Sequence, residues 1–174
     1  AIEAATALDL PLKVIMVEDS LVEEKLEEII LAAETGNVIQ VSVSIPIYFT
    51  CIEASKDGFS VLSSGQGADE LAAGYHRYER ALLKHGYDMV REMLENDVTE
   101  FFNGVEFFDR VSSALSITSI PLFTDQIVFE KLISLKPWDK IRIVNNRVLR
   151  KVVLRDVATR MGIPEELALR DKKA

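Results

Sequence analysis

The chain has 174 residues, of which 48% are hydrophobic and 28% charged, values that suit one folded domain with its own core and exclude a disordered or collagen-like polymer. One cysteine, Cys51, and two histidines, His76 and His85, exclude an internal disulfide and argue against a structural zinc site, which takes N and S ligands on all sides. The net charge of −8, from 28 acidic and 20 basic side chains, makes a poor general binder of nucleic acid; there is no basic leader and no uncharged apolar run of about 18 residues, so no membrane span is expected.

In chain order, Ala1-Ile2-Glu3-Ala4-Ala5 reads as the back of a helix with neither Met nor an N-cap, and residues upstream of Ala1 are expected. Residues 13–17, Lys-Val-Ile-Met-Val, form a β-branched run after Pro11 that predicts a buried strand. Asp19 or Ser20 then caps a helix whose Val22, Leu26, Ile29, Ile30 and Ala33 share a face, and Gly36-Asn37 ends it. Residues 38–56 carry two signals: 38–43 alternate like a strand, whereas Pro46 followed by Tyr48, Phe49, Ile52 and Ala54 reads as a buried helix. Asp57-Gly58 is a turn, and residues 59–62 are a second short strand. Strands separated by helices predict an α/β front built on a parallel sheet.

After Gly67 the pattern turns helical. Leu82, Gly86, Met89, Val90, Met93 and Leu94 form one stripe, and further helices are expected near 99–115, 124–134 and 145–160. Only residues 140–144 retain strand character. The expected organisation is one domain over 1–174, with an α/β part in 1–80 and an all-helical part in 81–174. Acid concentrates in residues 18–34 and base in 140–174. Either these are a solvated helix face and a basic tail, or the basic end faces a phosphate or carboxylate.

The informative segment leaves the second strand through Ser63-Ser64-Gly65-Gln66-Gly67 and enters a helix at Ala68-Asp69-Glu70. Gly65 and Gly67 allow unusual backbone angles and close ligand approach, and their amides, with the helix start, suit an anion. Asp69 and Glu70 either complement the helix dipole or offer a Mg²⁺-binding carboxylate. No Gly-Lys-Ser/Thr follows and no G-x-G-x-x-G is present, so neither familiar nucleotide fingerprint applies. A turn at the carboxyl end of a parallel strand is nevertheless where open α/β sheets place ligands.

Ser64-Gly65-Gln66-Gly67-Ala68-Asp69-Glu70-Leu71, with Gly74-Tyr75 and Arg77-Tyr78 after it, resembles the S-G-E-G-A-D-E-L-F-G-G-Y-x-R-Y segment of asparagine synthetases. Ser42-Val43-Ser44-Ile45-Pro46-Ile47-Tyr48 resembles that family's S-x-x-I-P-x-Y, and Leu10-Pro11-Leu12-Lys13-Val14-Ile15 its G-L-P-H-H-V strand entry. Lys151-Val152-Val153-Leu154-Arg155 resembles K-x-x-L-R, and the run from Pro164 through Arg170 to Lys172 and Lys173 keeps the spacing of P-E-E-I-x-x-R-P-K-K. The resemblance implies an adenine-nucleotide α-hydrolase-like sheet of the ATP pyrophosphatase type. It implies an ATP- and Mg²⁺-dependent ligase that activates a carboxylate, aspartate in the family, as an acyl-adenylate with release of pyrophosphate, for attack by ammonia. By position, Ser64, Gly65 and Gly67 would contact the nucleotide, and Asp69 would bind Mg²⁺. Lys151 would neutralise phosphate and transition-state charge, although on spacing alone it reads as a solvated lysine of a basic helix. Arg155 reads equally as an ion-pair residue at the core edge. Tyr75 and Tyr78 read as packing, and His76 is assigned no role. The implied partners are small molecules and a glutaminase domain or chain, in a cytoplasmic setting, with a homodimer as the default assembly.

Four departures qualify the resemblance. The family's S-G-G-x-D-S pyrophosphate loop would lie upstream of Ala1. Gln66 stands where the family has Glu; an amide hydrogen-bonds but does not accept a proton near neutral pH. The E-x-R-x-P segment reads Ile117-Thr118-Ser119-Ile120-Pro121, without the acid and the guanidinium. No glutaminase-type N-terminal cysteine lies in this stretch. Two alternatives therefore stand beside an asparagine-forming ligase: a related enzyme that closes a lactam or uses another amine, and a non-catalytic regulatory partner that keeps the fold.

Overall fold

The computed structural model describes residues 2–170, without the side chains at 100 and 102–104. Its elements in order are α1 (Ile2–Ala7), α2 (Asp19–Ala33), α3 (Val38–Lys56), β1 (Val61–Ser64), α4 (Ala68–Leu71), α5 (His76–Ala114), β2 (Thr118–Pro121), α6 (Gln126–Ser134), α7 (Pro137–Lys140), β3 (Ile141–Val144), β4 (Arg147–Arg150), α8 (Val152–Arg160) and α9 (Glu165–Ala168). The fold is mixed α/β, mostly helical, with a small parallel sheet, β1-β2, and an antiparallel pair, β3-β4. Two compact units emerge. One comprises residues 1–13, 68–98 and 129–174, the other residues 14–67 and 99–128.

In the second unit, α2 begins after Glu18, which makes no side-chain cap; Asp19 lies inside the first turn, where its charge complements the dipole instead of capping. The helix stops at Glu34, in the left-handed region at φ 53°, ahead of Gly36-Asn37. Asn37 instead starts α3: its Oδ1 accepts from the amides of Ile39 at 3.0 Å and Gln40 at 3.2 Å. That cap decides the ambiguity of residues 38–43, which are helical and not a strand. Pro46 sits inside the helix, not at its first turn. Ile29, Ala33, Tyr48, Phe49, Phe107 and Val111 form the core of this unit, while Leu26 stays 40% exposed. α3 is long and apolar enough to cross a membrane by length and composition, which the count of uncharged residues did not anticipate. Its Val41, Tyr48, Phe49, Cys51 and Ala54 are buried in the fold.

Gly58, at φ 84°, completes the expected turn after α3, and the strand follows at Val61–Ser64, two residues later than expected. It pairs in parallel with β2, Val61 opposite Thr118 and Ser64 opposite Pro121. The amide of Thr118 donates to the Ser60 carbonyl at 2.8 Å. Residues 13–17 form no strand: no ladder partner lies beside them among the described residues, and Val14 and Met16 stay exposed.

In the first unit, α5 opens the helical stripe, and Gly86 breaks its geometry at φ 78°, ψ −168°. Tyr78, Ala81, Leu82, Val90 and Leu94 pack with Ile141 of β3. β3 and β4 are joined by Asn145 and Asn146, both at positive φ (50° and 62°), the backbone of a tight two-residue hairpin. The helix expected over 145–160 therefore begins only at Val152. The all-helical reading of 81–174 is corrected on two counts, by β2 and by this hairpin.

Candidate active site

The chain leaves β1 and enters α4, which carries Asp69 and Glu70 in its single turn. Ala73 follows in the left-handed region at φ 55°, then Gly74. Lys151 occupies the break between β4 and α8, also left-handed at φ 55°, ψ 37°. These distant stretches meet within the first unit. Lys151 Nζ lies 3.1 Å from Asp69 Oδ1, with each side chain 25% exposed. Gly74 makes the meeting possible, because a Cβ there would run into both the Asp69 carboxylate and the Lys151 Cε. The Gly74 amide donates to the Asp69 carbonyl at 2.8 Å, and its carbonyl accepts from Arg150 Nη1 at 2.9 Å. Asp69 is thus more than a complement to a helix dipole, and Lys151 is not a solvated lysine on a helix face. Gly74 and Arg150 are the members of this cluster that sequence reasoning missed. Gly74 stood in the quoted motif, but the need for a missing Cβ shows only when 69, 74 and 151 come together.

Aromatic and acidic groups flank the pair. Tyr75 donates to Glu70 Oε1 at 2.5 Å, and Tyr78 donates to Asp97, which also takes Arg77 Nη2 at 2.6 Å. The two rings stack with centroids 6.2 Å apart, and the Arg77 guanidinium lies 4.8 Å from the Tyr75 centroid. Burial first, then the neighbouring carboxylates, push both phenols well above their ordinary range. They stay protonated at working pH and act as props, as expected. His76 stands between acid and base, Nδ1 3.3 Å from Glu79 and Nε2 3.4 Å from Arg150. Arg155 donates to the Arg150 carbonyl at 2.7 Å and to the Ala168 and Arg170 carbonyls at 2.6 and 2.9 Å. Lys172 and Lys173 lie outside the described residues.

Ser64, Gly65, Gln66 and Gly67 belong to the second unit. Ser64 ends β1 with its Oγ buried and without a hydrogen-bond partner among the described residues, an orphan that a ligand atom would satisfy. A Cβ at Gly65 would meet nothing within 4 Å among the described residues, which leaves that face of the turn open to them. Gly67 is held to glycine by the fold itself: its φ is 91°, and a Cβ would strike the Phe101 ring. Gln66 is half-buried. In the same unit Ile117 is buried, and Ser119 donates to Asp109 Oδ1 at 2.6 Å. Those two polar groups line an open cavity of about 490 Å³ with Val105, Glu106, Pro121 and Thr124.

Among the described residues no group of three or more His, Cys, Asp or Glu side chains converges as a metal cage. Mg²⁺ does not require one, being held commonly by one or two carboxylates together with substrate phosphates and water. A single carboxylate such as Asp69 suits that kind of shared coordination.

Comparison with known proteins gives two results. The family model for asparagine synthase matches residues 1–101. A curated relative from Methanocaldococcus jannaschii, named as a candidate glutamine-hydrolysing asparagine synthetase, is 32% identical over an alignment that covers 98% of this chain. The chain spans 37% of that relative's length.

Proposed function

The chain belongs to the asparagine synthase family, and on that premise we propose that it is the acid-activating part of an ATP-dependent, amide-forming ligase. The carboxylate, aspartate in the first instance, attacks the α-phosphorus of ATP and expels pyrophosphate; ammonia then attacks the acyl carbon, loses a proton and expels AMP. The observation that carries this reading is the Asp69–Lys151 pair built against Gly74. An ammonium held on a short turn, partly out of water, stabilises negative charge developing on phosphate oxygens more strongly than a mobile surface lysine would. Asp69 holds that ammonium in place before substrate arrives. Mg²⁺, held by Asp69 with the phosphates, would supply further charge neutralisation. Ser64 Oγ and the open face at Gly65 offer a hydroxyl and backbone amides to the nucleotide, and Gly67 shapes the turn that presents them. In this reading β1 and β2 are two strands of a pyrophosphatase-type sheet. Gln66 can orient the reacting carbonyl or the incoming amine by hydrogen bonds, but the proton lost from nitrogen goes to another acceptor, such as water. Ammonia would come from a glutaminase domain or chain, in keeping with the name of the archaeal relative.

The test is pyrophosphate release by the complete protein with ATP, Mg²⁺, ammonia and a panel of carboxylic acids. Asp69→Asn and Lys151→Met are each expected to lower the rate by about 10²–10³-fold while leaving the melting temperature within a few degrees. Absence of release with every acid, or full activity in both variants, refutes the reading.

A second reading is favoured by Ile117 and Ser119. Where the family carries an acid and a guanidinium, this chain has a buried aliphatic side chain and a hydroxyl bonded to Asp109. The same adenylating chemistry would then serve a different acid or amine, including an internal amine that closes a lactam. Mass spectrometry of the products separates the two, and asparagine as the sole product removes the second.

A further inference from the structure

We propose that Arg150 is a positioning residue: one guanidinium holds both the backbone from which Lys151 springs and the wall against which its stem lies. The inference rests on the role given to Lys151 above, but its geometry stands independently.

Lys151 needs holding. A left-handed backbone is unfavourable for a residue with a Cβ, and a fixed lysine stem gives up rotamer freedom. The ion pair to Asp69 is made at the far end of four methylenes and does not impose the turn, and the Lys151 carbonyl takes only the Arg155 amide, at 3.0 Å, on the side of α8. Arg150 is the preceding residue and the last of β4, with only 9% of its surface exposed. Its Nη1 donates to the Gly74 carbonyl at 2.9 Å, in a buried bond. Its Nε lies 3.6 Å from Glu79, and its Nη2 3.4 Å from His76 Nε2. Its own carbonyl is taken by Arg155 Nε at 2.7 Å. The end of β4 is therefore pinned through side chain and backbone immediately before the turn.

The other end of that bond matters as much. Gly74 is the residue whose missing Cβ leaves room for the Lys151 Cε and the Asp69 carboxylate. Its amide is tied to the Asp69 carbonyl and its carbonyl to Arg150. If Arg150 lets go, Gly74 loses one of its two tethers, and the slot for the lysine stem is no longer defined. A lysine at position 150 keeps the charge but lacks the planar fork that serves Gly74, Glu79 and His76 together. A buried guanidinium carries a large desolvation penalty unless its donors are used, so its placement here marks a constraint that a surface arginine would not meet.

The experiment uses the complete protein with Arg150→Lys and Arg150→Gln, and reads two quantities. The first is acylation of Lys151 by a limiting dose of an amine-reactive reagent, followed by peptide mass spectrometry with the remaining lysines as internal standards. Loss of positioning is expected to raise Lys151 labelling several-fold relative to those standards. The second is the kinetics of pyrophosphate release: kcat is expected to fall by about 10–100-fold, with KM for ATP changed less than about twofold, and methylguanidinium should partly restore the Gln variant. Should Arg150→Gln fail to fold, Arg150→Lys carries both measurements. Unchanged labelling in a folded variant overturns the proposal, and so does a fall in rate matched by a rise in KM alone. If the wild type releases no pyrophosphate, the ligase reading fails, while the labelling still decides the part played by Arg150.

Discussion

The two units bury polar groups of opposite kinds. In the second unit the fully buried polar side chains include Ser44 and Ser112, and each hydroxyl turns back on its own helix: Ser44 donates to Gln40, Ser112 to Phe108 and Asp109, all at 3.0 Å. Among the described residues of the first unit the buried charged side chains are Lys140 at 3% and Arg150 at 9% exposure. A hydroxyl bonded to a helix carbonyl is nearly free to bury, whereas a cation is expensive even when paired. The contrast separates a unit whose buried serines are satisfied within their own helices from one that buries cations at a cost in stability.

The largest effect should come from breaking the apolar core of the second unit. Phe49 is buried and packs edge-on against Tyr48, with centroids 5.5 Å apart and planes at 88°. Phe49→Ala should lower the free energy of unfolding by about 3–5 kcal/mol, measured in urea, through lost transfer energy and a cavity. A loss below about 1 kcal/mol would show that the apolar core of the second unit is not what holds it.

The reverse experiment removes the buried amine. Burial holds the Lys140 ammonium down to about 8, below its ordinary 10.5, and no acid pairs with it among the described residues. Between those two values the native state binds fewer protons than the unfolded chain, so stability rises with pH across that window; below about 8 the penalty is carried in full. Lys140→Met should therefore stabilise the protein at pH 7 by about 1–3 kcal/mol, with the gain shrinking as pH approaches 10.5. A variant less stable than wild type at pH 7, or a gain independent of pH, would contradict the contrast between the units.

Where sequence was legible, a local rule and the tertiary structure agreed. Asp57-Gly58 is a turn because glycine alone takes φ 84° without strain, and the stripe through Leu82, Val90 and Leu94 is helical because its period matches the buried face. The strand at residues 13–17 was misread for a physical reason. A β-branched run becomes a strand only when another backbone accepts its ladder, and none does so here among the described residues. β2 was missed because four residues with Pro121 at the end carry too little pattern, and its identity comes from β1 alongside. The Asn145-Asn146 pair was a hairpin signal in plain view, overlooked because basic residues on either side read as helix. Of the site, Asp69 and Lys151 were reachable through a motif. Gly74 and Arg150 were not, since their importance is a matter of who touches whom.

The smallest effect tests the contrast most sharply. Ser44 is fully buried, so counting buried polar atoms would rank it beside Lys140. Its hydroxyl, however, shares a carbonyl at Gln40 that the helix already supplies with a donor, four residues back. Ser44→Ala removes the hydroxyl together with its only need for a partner, and leaves a void of one oxygen atom while raising helix propensity. The expected change in unfolding free energy is within about 1 kcal/mol of zero and flat between pH 6 and 10, by the same urea titrations. A loss of 2 kcal/mol or more would mean that the hydroxyl organises the core of the second unit, and the division between a unit whose buried serines are satisfied locally and a unit that buries cations would have to be redrawn.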